Sequence, residues 1–321
     1  MKHLLYSVCF VGVFLGVFFG HTATLDGSDR TVSDPVVPMV ESIAQQASIK
    51  TLIIGTESEE ATDPATAPDT TIPEDTLSKP DQEAAESAPQ VDPVSDEQLD
   101  AGYLDGWFSD SAIVGDSIVG GLTLYVNDER YKNHTCLGDV KLVYASALTL
   151  KKAYECEQKK RTPELKLRSK YMTISEVVTT LGVKRLFIML GASDLRWFSP
   201  QEYIAAYDGL IQIVLQDHPD LEIYVHSIVP MVKEYAKQVN LTAEQNIEIN
   251  NMLREYCKEK GYGFIELSDH IRDDEGFLPR ELSAGDYRFH LNSAGKKIWV
   301  RCLREYAREE YYQGKWSLGG N

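Results

Sequence analysis

Residues 111–122 read SAIVGDSIVGGL. An apolar run, Ala112 to Val114, stops at Gly115-Asp116-Ser117 and resumes through Gly120 and Gly121. One reading is a plain turn in which Ser117 caps a helix, a frequent use of serine after a strand. The other is a buried strand that hands over to a helix and presents the Ser117 hydroxyl at its carboxyl end. What lies downstream decides between them.

From about residue 101, short β-branched runs alternate with helical stretches. The runs are AIVG (112–115), VKLVYA (140–145), RLFIML (185–190), EIYVHSIV (222–229) and YGFIEL (262–267). Between them lie helical patterns over 173–182, 199–219 and 242–261, the last opening on Thr242 and closing on Gly261. A final helix is expected from about Ser293 to Tyr312. Strands apolar on both faces and separated by amphipathic helices imply a parallel sheet covered on both sides. The expected fold is a three-layer α/β/α sandwich around a five-stranded parallel sheet, of flavodoxin-like form. Ligands of such sheets bind outside the carboxyl ends of the strands. Three distant segments are expected on that rim: Gly115 to Ser117, Gly191-Ala192-Ser193-Asp194, and GDYRFHLNSAGKK at 285–297.

The 321 residues carry a net charge of -17, which argues against a nucleic-acid partner. The acid is unevenly placed. Residues 24–100 hold 18 acidic and 3 basic side chains, and residues 101–321 hold 31 and 28. The first stretch is rich in Glu, Asp, Pro, Thr and Ala, so it reads as a disordered linker with one apolar island, Ser48 to Gly55. Residues 1–23 contain an uncharged run from Leu4 to Gly20 behind Lys2. They read as a signal peptide or, by the poor cleavage site at Ala23, a membrane anchor. Either places residues 101–321 outside the cytoplasm. Beyond Cys9, the cysteines at 136, 156, 257 and 302 match no zinc spacing, and four partly buried thiols are the expectation.

A serine hydroxyl needs a base within hydrogen-bond reach, and the base needs an acceptor that fixes its tautomer. Ser117 at a helix start also offers its own N–H to a developing oxyanion. His290, just before a helix, is the candidate base. With these residues in order, IVGDSIVGG, IMLGASDL and DYRFHLNSAGKKIW resemble the first, third and fifth blocks of the SGNH (GDSL-type) hydrolase superfamily, over roughly residues 108–312. The resemblance implies an esterase or related acyl-transfer enzyme, with Ser117 as nucleophile, His290 as base, and no metal or cofactor. It departs from the family at three places. Ser193 stands where an asparagine usually donates to the oxyanion. Ala145 or Ser146 stands where a glycine N–H usually does. Asp286 lies four residues before His290 instead of three, with Tyr287 in the usual place and Asp269 as a weaker alternative acid.

Asp116 and Asp194 are expected to brace loops. Trp197 and Phe198 either line a pocket or cover the next helix, and the basic stretch Lys151 to Lys170 reads as a solvated helix and loop more than as a contact for an anionic wall polymer. The expected function is an extracytoplasmic serine esterase acting on an acylated small molecule or envelope glycan. The alternatives are a non-catalytic binding or scaffold domain on the same fold and a glycan O-acyltransferase.

Overall fold

The computed structural model describes residues 92–133 and 135–318. The apolar run at the N-terminus, the apolar island and the acidic stretch up to residue 91 lie outside the described residues. Among the described residues, no helix is long and apolar enough to cross a membrane.

Strand β1 (Ser111–Gly115) is buried at every position and lies one strand in from the edge of the sheet. It pairs in parallel with β2 (Lys141–Tyr144) on one side and β5 (Arg185–Met189) on the other, so that Ile113 lies level with Leu142 and Phe187. Strands β6 (Glu222–His226) and β7 (Gly263–Ile265) extend the sheet in the order β2-β1-β5-β6-β7, all parallel. The five apolar runs of the sequence are these five strands. Their two-sided apolarity is used in full only at the centre. Edge strand β2 buries Val143 and leaves Lys141 and Tyr144 exposed.

Helix α2 (Ser117–Asn133) follows β1 and packs beside the last helix, α9 (Ser293–Tyr312). The second layer is formed by α3 (Leu150–Glu157), α4 (Ile174–Leu181), α5 (Pro200–Asp217) and α7 (Ala243–Lys260). Three of these begin as the sequence signals. Thr173, Ser199 and Thr242 each accept from the backbone three residues on, while Glu176, Glu202 and Gln245 reach back to the cap. Short helices α6 (Lys233–Gln238) and α8 (Ser268–Ile271) lie in the connections after β6 and β7. The core centres on Phe187 and Tyr224, cross-strand partners whose rings stack at 4.5 Å, with Trp107 edge-on to both.

Two features depart from the sequence reading. The basic stretch is a helix and loop only in part. Its end forms a hairpin, β3 (Leu165–Leu167) against β4 (Lys170–Met172), turned by Arg168 and Ser169 in left-handed conformations. Residues 95–100, given to the linker by the sequence reading, are also part of the folded unit. Helix α1 (Asp96–Asp100) carries its own capping box from Ser95 and Gln98 and buries Leu99 completely. A 3-10 turn over Asp105–Phe108 then enters the core. This segment docks on α9 through acid–arginine pairs: Asp96 with Arg301 and Arg308, Asp100 with Arg301, and Asp105 with Arg304. Two of the acidic side chains that made this stretch look like linker, Asp96 and Asp100, are thus paired with arginines of α9.

The four described cysteines are buried and unbridged. Burial pushes the Cys136 thiol up to about 11 and those of Cys257 and Cys302 up to about 12. Such thiols are protonated and poorly reactive at neutral pH.

Candidate active site

The site is assembled where β1 gives way to α2. Asp116 stands immediately before the helix, and its Oδ1 accepts the Ile118 N–H at 2.8 Å. Asp116 therefore caps its own helix, a correction to its reading as a brace between loops. It also means that Ser117 is not the cap. Ser117 occupies the first helical position, where the backbone N–H has no intrahelical acceptor and the hydroxyl is free for other partners.

The Ser117 Oγ lies 2.8 Å from His290 Nε2. On the far side of the ring, His290 Nδ1 contacts Asp286 Oδ2. A carboxylate at Nδ1 holds the proton there and leaves Nε2 as the acceptor for a serine O–H. The four-residue spacing is absorbed by the loop. Ala284 N–H donates to His290 O at 2.7 Å, Ser283 bridges Leu291, and Tyr287 takes a left-handed φ of 49°. The chain thus folds its extra residue outward at Tyr287, which is exposed, and brings Asp286 back to the imidazole. Asn292 caps α9 through the N–H groups of Ala294 and Gly295, fixing the loop's other end. Asp269, the alternative acid, is paired with Arg254 and Arg272 instead.

The other candidates separate. The Ala145 N–H continues the β1–β2 ladder to Gly115 O at 3.2 Å, so it is not available to an oxyanion. Ser146, one residue on, lines the cleft beside Ser117. Asp194 accepts from the N–H groups of Leu150 and Lys151, tying the loop after β5 to the start of α3. That loop is further held by Tyr203 and Tyr207 of α5, whose hydroxyls both donate to Leu190 O. Gly191 passes so close to Tyr203, at φ 109°, that a Cβ would fall 1.7 Å from the phenol oxygen. Ser193 is exposed and lines a small adjoining depression with Arg196, Tyr235 and Phe289. It does not line the Ser117 cleft. Phe198 packs edge-on against Tyr203 and covers α5, whereas Trp197 is exposed under the Arg196 guanidinium.

The cleft has a volume of about 440 Å³ and is lined by Ser117, Leu124, Tyr144, Ser146, His290 and Lys296 among others. Leu124, Tyr144 and Lys296 were missed by sequence reasoning. The signal that points to them is the Gly120-Gly121 pair one turn beyond Ser117, because two adjacent small residues inside a helix mark a close approach.

Burial pushes the Asp116 carboxyl up to about 6 from an ordinary 3.8, against the opposing effect of the Ile118 N–H. Because the folded value lies above the unfolded one, the stability this group contributes is full below about pH 4 and is lost as pH rises through about 6. Asp116→Asn retains an acceptor for Ile118 and removes the titration. In urea unfolding, the stability of the wild type relative to this variant is expected to fall on the order of 2 kcal/mol between pH 4 and pH 7. Parallel pH–stability curves for the two proteins contradict this assignment.

A serine, histidine and aspartate joined in this order, at the carboxyl end of a parallel sheet in an α/β/α sandwich, define the class of protein as a hydrolase-type fold with a nucleophile site. The chain belongs to the GDSL-like Lipase/Acylhydrolase family, whose model matches residues 113–298, more than half of its length. No curated protein matches it. Among solved structures it is similar to a GDSL-like lipase from Bacteroides thetaiotaomicron, at 12% identity and a TM-score of 0.48, covering 62% of this chain and 87% of that one. It is also similar to a carbohydrate esterase family 3 protein from Talaromyces cellulolyticus, at 13% identity and a TM-score of 0.43, covering 64% and 99%.

Proposed function

We propose that the chain is an extracytoplasmic serine esterase with Ser117 as nucleophile, His290 as general base and Asp286 as the residue that orients it. The observation that carries this reading is the 2.8 Å contact between Ser117 Oγ and His290 Nε2, with Asp286 on the opposite ring nitrogen. Ser117 Oγ bonds to the ester carbonyl carbon as its proton passes to Nε2. The carbonyl π pair moves onto oxygen, where the N–H of Ser117 at the helix start and that of Ser146 are the donors of this scheme. The bond to the leaving oxygen then breaks, and that oxygen takes the proton from Nε2. Water repeats the sequence with His290 as base, releasing the acid and regenerating the serine.

The apolar run Leu4 to Gly20 and the acidic stretch behind it support an enzyme delivered across a membrane, retained there or released. An O-acylated envelope glycan is the substrate this placement favours, with a small acyl ester as the simplest reporter. The full chain is expected to hydrolyse 4-nitrophenyl acetate and to take up one equivalent of a serine-directed fluorophosphonate, mapped to Ser117. The exposure of Ser193 beside the cleft favours, as a second reading, a glycan-binding domain that has kept the fold. Glycan binding with neither labelling nor turnover selects that second reading.

A further inference from the structure

The cleft beside Ser117 has two unlike walls, and each stands over a glycine of α2. A Cβ at Gly120 would fall 2.7 Å from the Tyr144 ring. A Cβ at Gly121 would fall 3.3 Å from Lys296 Cε and 3.6 Å from its Nζ. The glycine pair therefore lets an aromatic ring and a lysine side chain lie down on the helix that carries the nucleophile.

Lys296 is placed unfavourably for a cation in three respects. It is partly buried in the first turns of α9, beside the positive end of that helix. It forms no ion pair among the described residues, and burial lowers its pKa with no neighbouring carboxylate raising it. Asp286, the carboxylate lining the same cleft, is held by His290. The loop that carries His290 also holds Arg288, exposed and stacked on Tyr235 in the wall of the neighbouring depression, with no ion pair among the described residues. Lys296 is thus the one charged side chain lining this cleft that has no partner among the described residues. A partly desolvated ammonium without a counter-ion is a standing cost that an incoming anion removes.

We propose that Lys296 selects esters carrying an anionic group, a carboxylate or a phosphate, on the same molecule, with the ring or sugar between them lying on Tyr144. This inference rests on the esterase reading above and names its substrate class. Lys296 is a specificity-determining residue in it and takes no part in bond making.

The test uses the full chain and three acetyl esters: 4-acetoxybenzoate, 4-acetoxyphenyl phosphate and the neutral methyl 4-acetoxybenzoate. In Lys296→Met, the anionic-to-neutral ratio of kcat/KM is expected to fall about tenfold, equivalent to ~1.4 kcal/mol. The loss should lie mainly in KM, and Lys296→Arg should retain the ratio. The anion with the larger loss identifies carboxylate or phosphate as the group recognised. A ratio that moves less than twofold for both anions overturns the proposal. Calorimetric binding of 4-hydroxybenzoate and phenyl phosphate to wild type and Lys296→Met reads the same contact without turnover. Equal affinities there overturn the proposal. A tenfold loss of affinity in a chain that hydrolyses none of the three esters upholds the anion site and overturns the esterase reading alone.

Discussion

Replacing Ser117 by alanine is expected to lower kcat for short-chain esters by about 10⁴- to 10⁶-fold while leaving KM within severalfold of the wild type. The substitution removes one atom, the Oγ that lies on His290 Nε2. The His290–Asp286 pair and the α2 N-terminus remain, so the residual rate measures what the base and the oxyanion donors achieve with water alone. The loss is not expected to arise from unfolding. The cap of α2 is Asp116, whose bond to Ile118 is untouched, and alanine is a good residue at a first helical position. Unfolding midpoints of the two proteins should therefore agree within a few degrees. A variant that keeps a tenth or more of the wild-type rate would place the nucleophile elsewhere.

Arg304→Leu is expected to cost about 3–5 kcal/mol of stability. Arg304 reaches across from α9 to Asp105 with two nitrogens at 2.8 Å each, and a third nitrogen donates to Asp100 O. Both side chains are almost fully buried, and Asp105 also accepts the Leu137 N–H. Removing the guanidinium leaves a buried carboxylate with one backbone donor. Arg301 provides the contrast. It makes more ion pairs, to Asp96, Asp100 and Glu305, but its partners are largely solvated. Arg301→Leu is therefore expected to cost less than about 1 kcal/mol. Urea unfolding of both variants separates the two cases. Similar small losses would mean that burial of the Asp105 pair does not anchor the N-terminal segment.

The fold was legible because it depends on patterns of short range. Two-sided apolar runs such as RLFIML and EIYVHSIV, and caps such as Ser199 with Glu202, are set by residues near one another in the chain. The rim segments were legible because the carboxyl ends of parallel strands must meet. What escaped depends on backbone conformation or on distant partners. Nothing in the residue types around Tyr287 announces the left-handed turn that returns Asp286 to His290. The residue types at Ala145 and Ser146 do not distinguish their amides, and only the extension of the strand ladder by one residue engages that of Ala145. Residues 92–100 looked like linker because the arginines that receive their charge lie some two hundred positions later. Lys296 has no local signal of its own, since its significance comes from Gly121 on another element.

The docked segment and the catalytic loop stand at opposite ends of one helix. The Val94 N–H donates to the Tyr312 hydroxyl, at the last residue of α9. His290 lies just before the opposite end of that same helix, whose 20 residues span ~30 Å. The chain therefore enters the domain at one pole and carries out its chemistry at the other. A contact made on the segment around Val94 therefore leaves the Ser117 cleft uncovered.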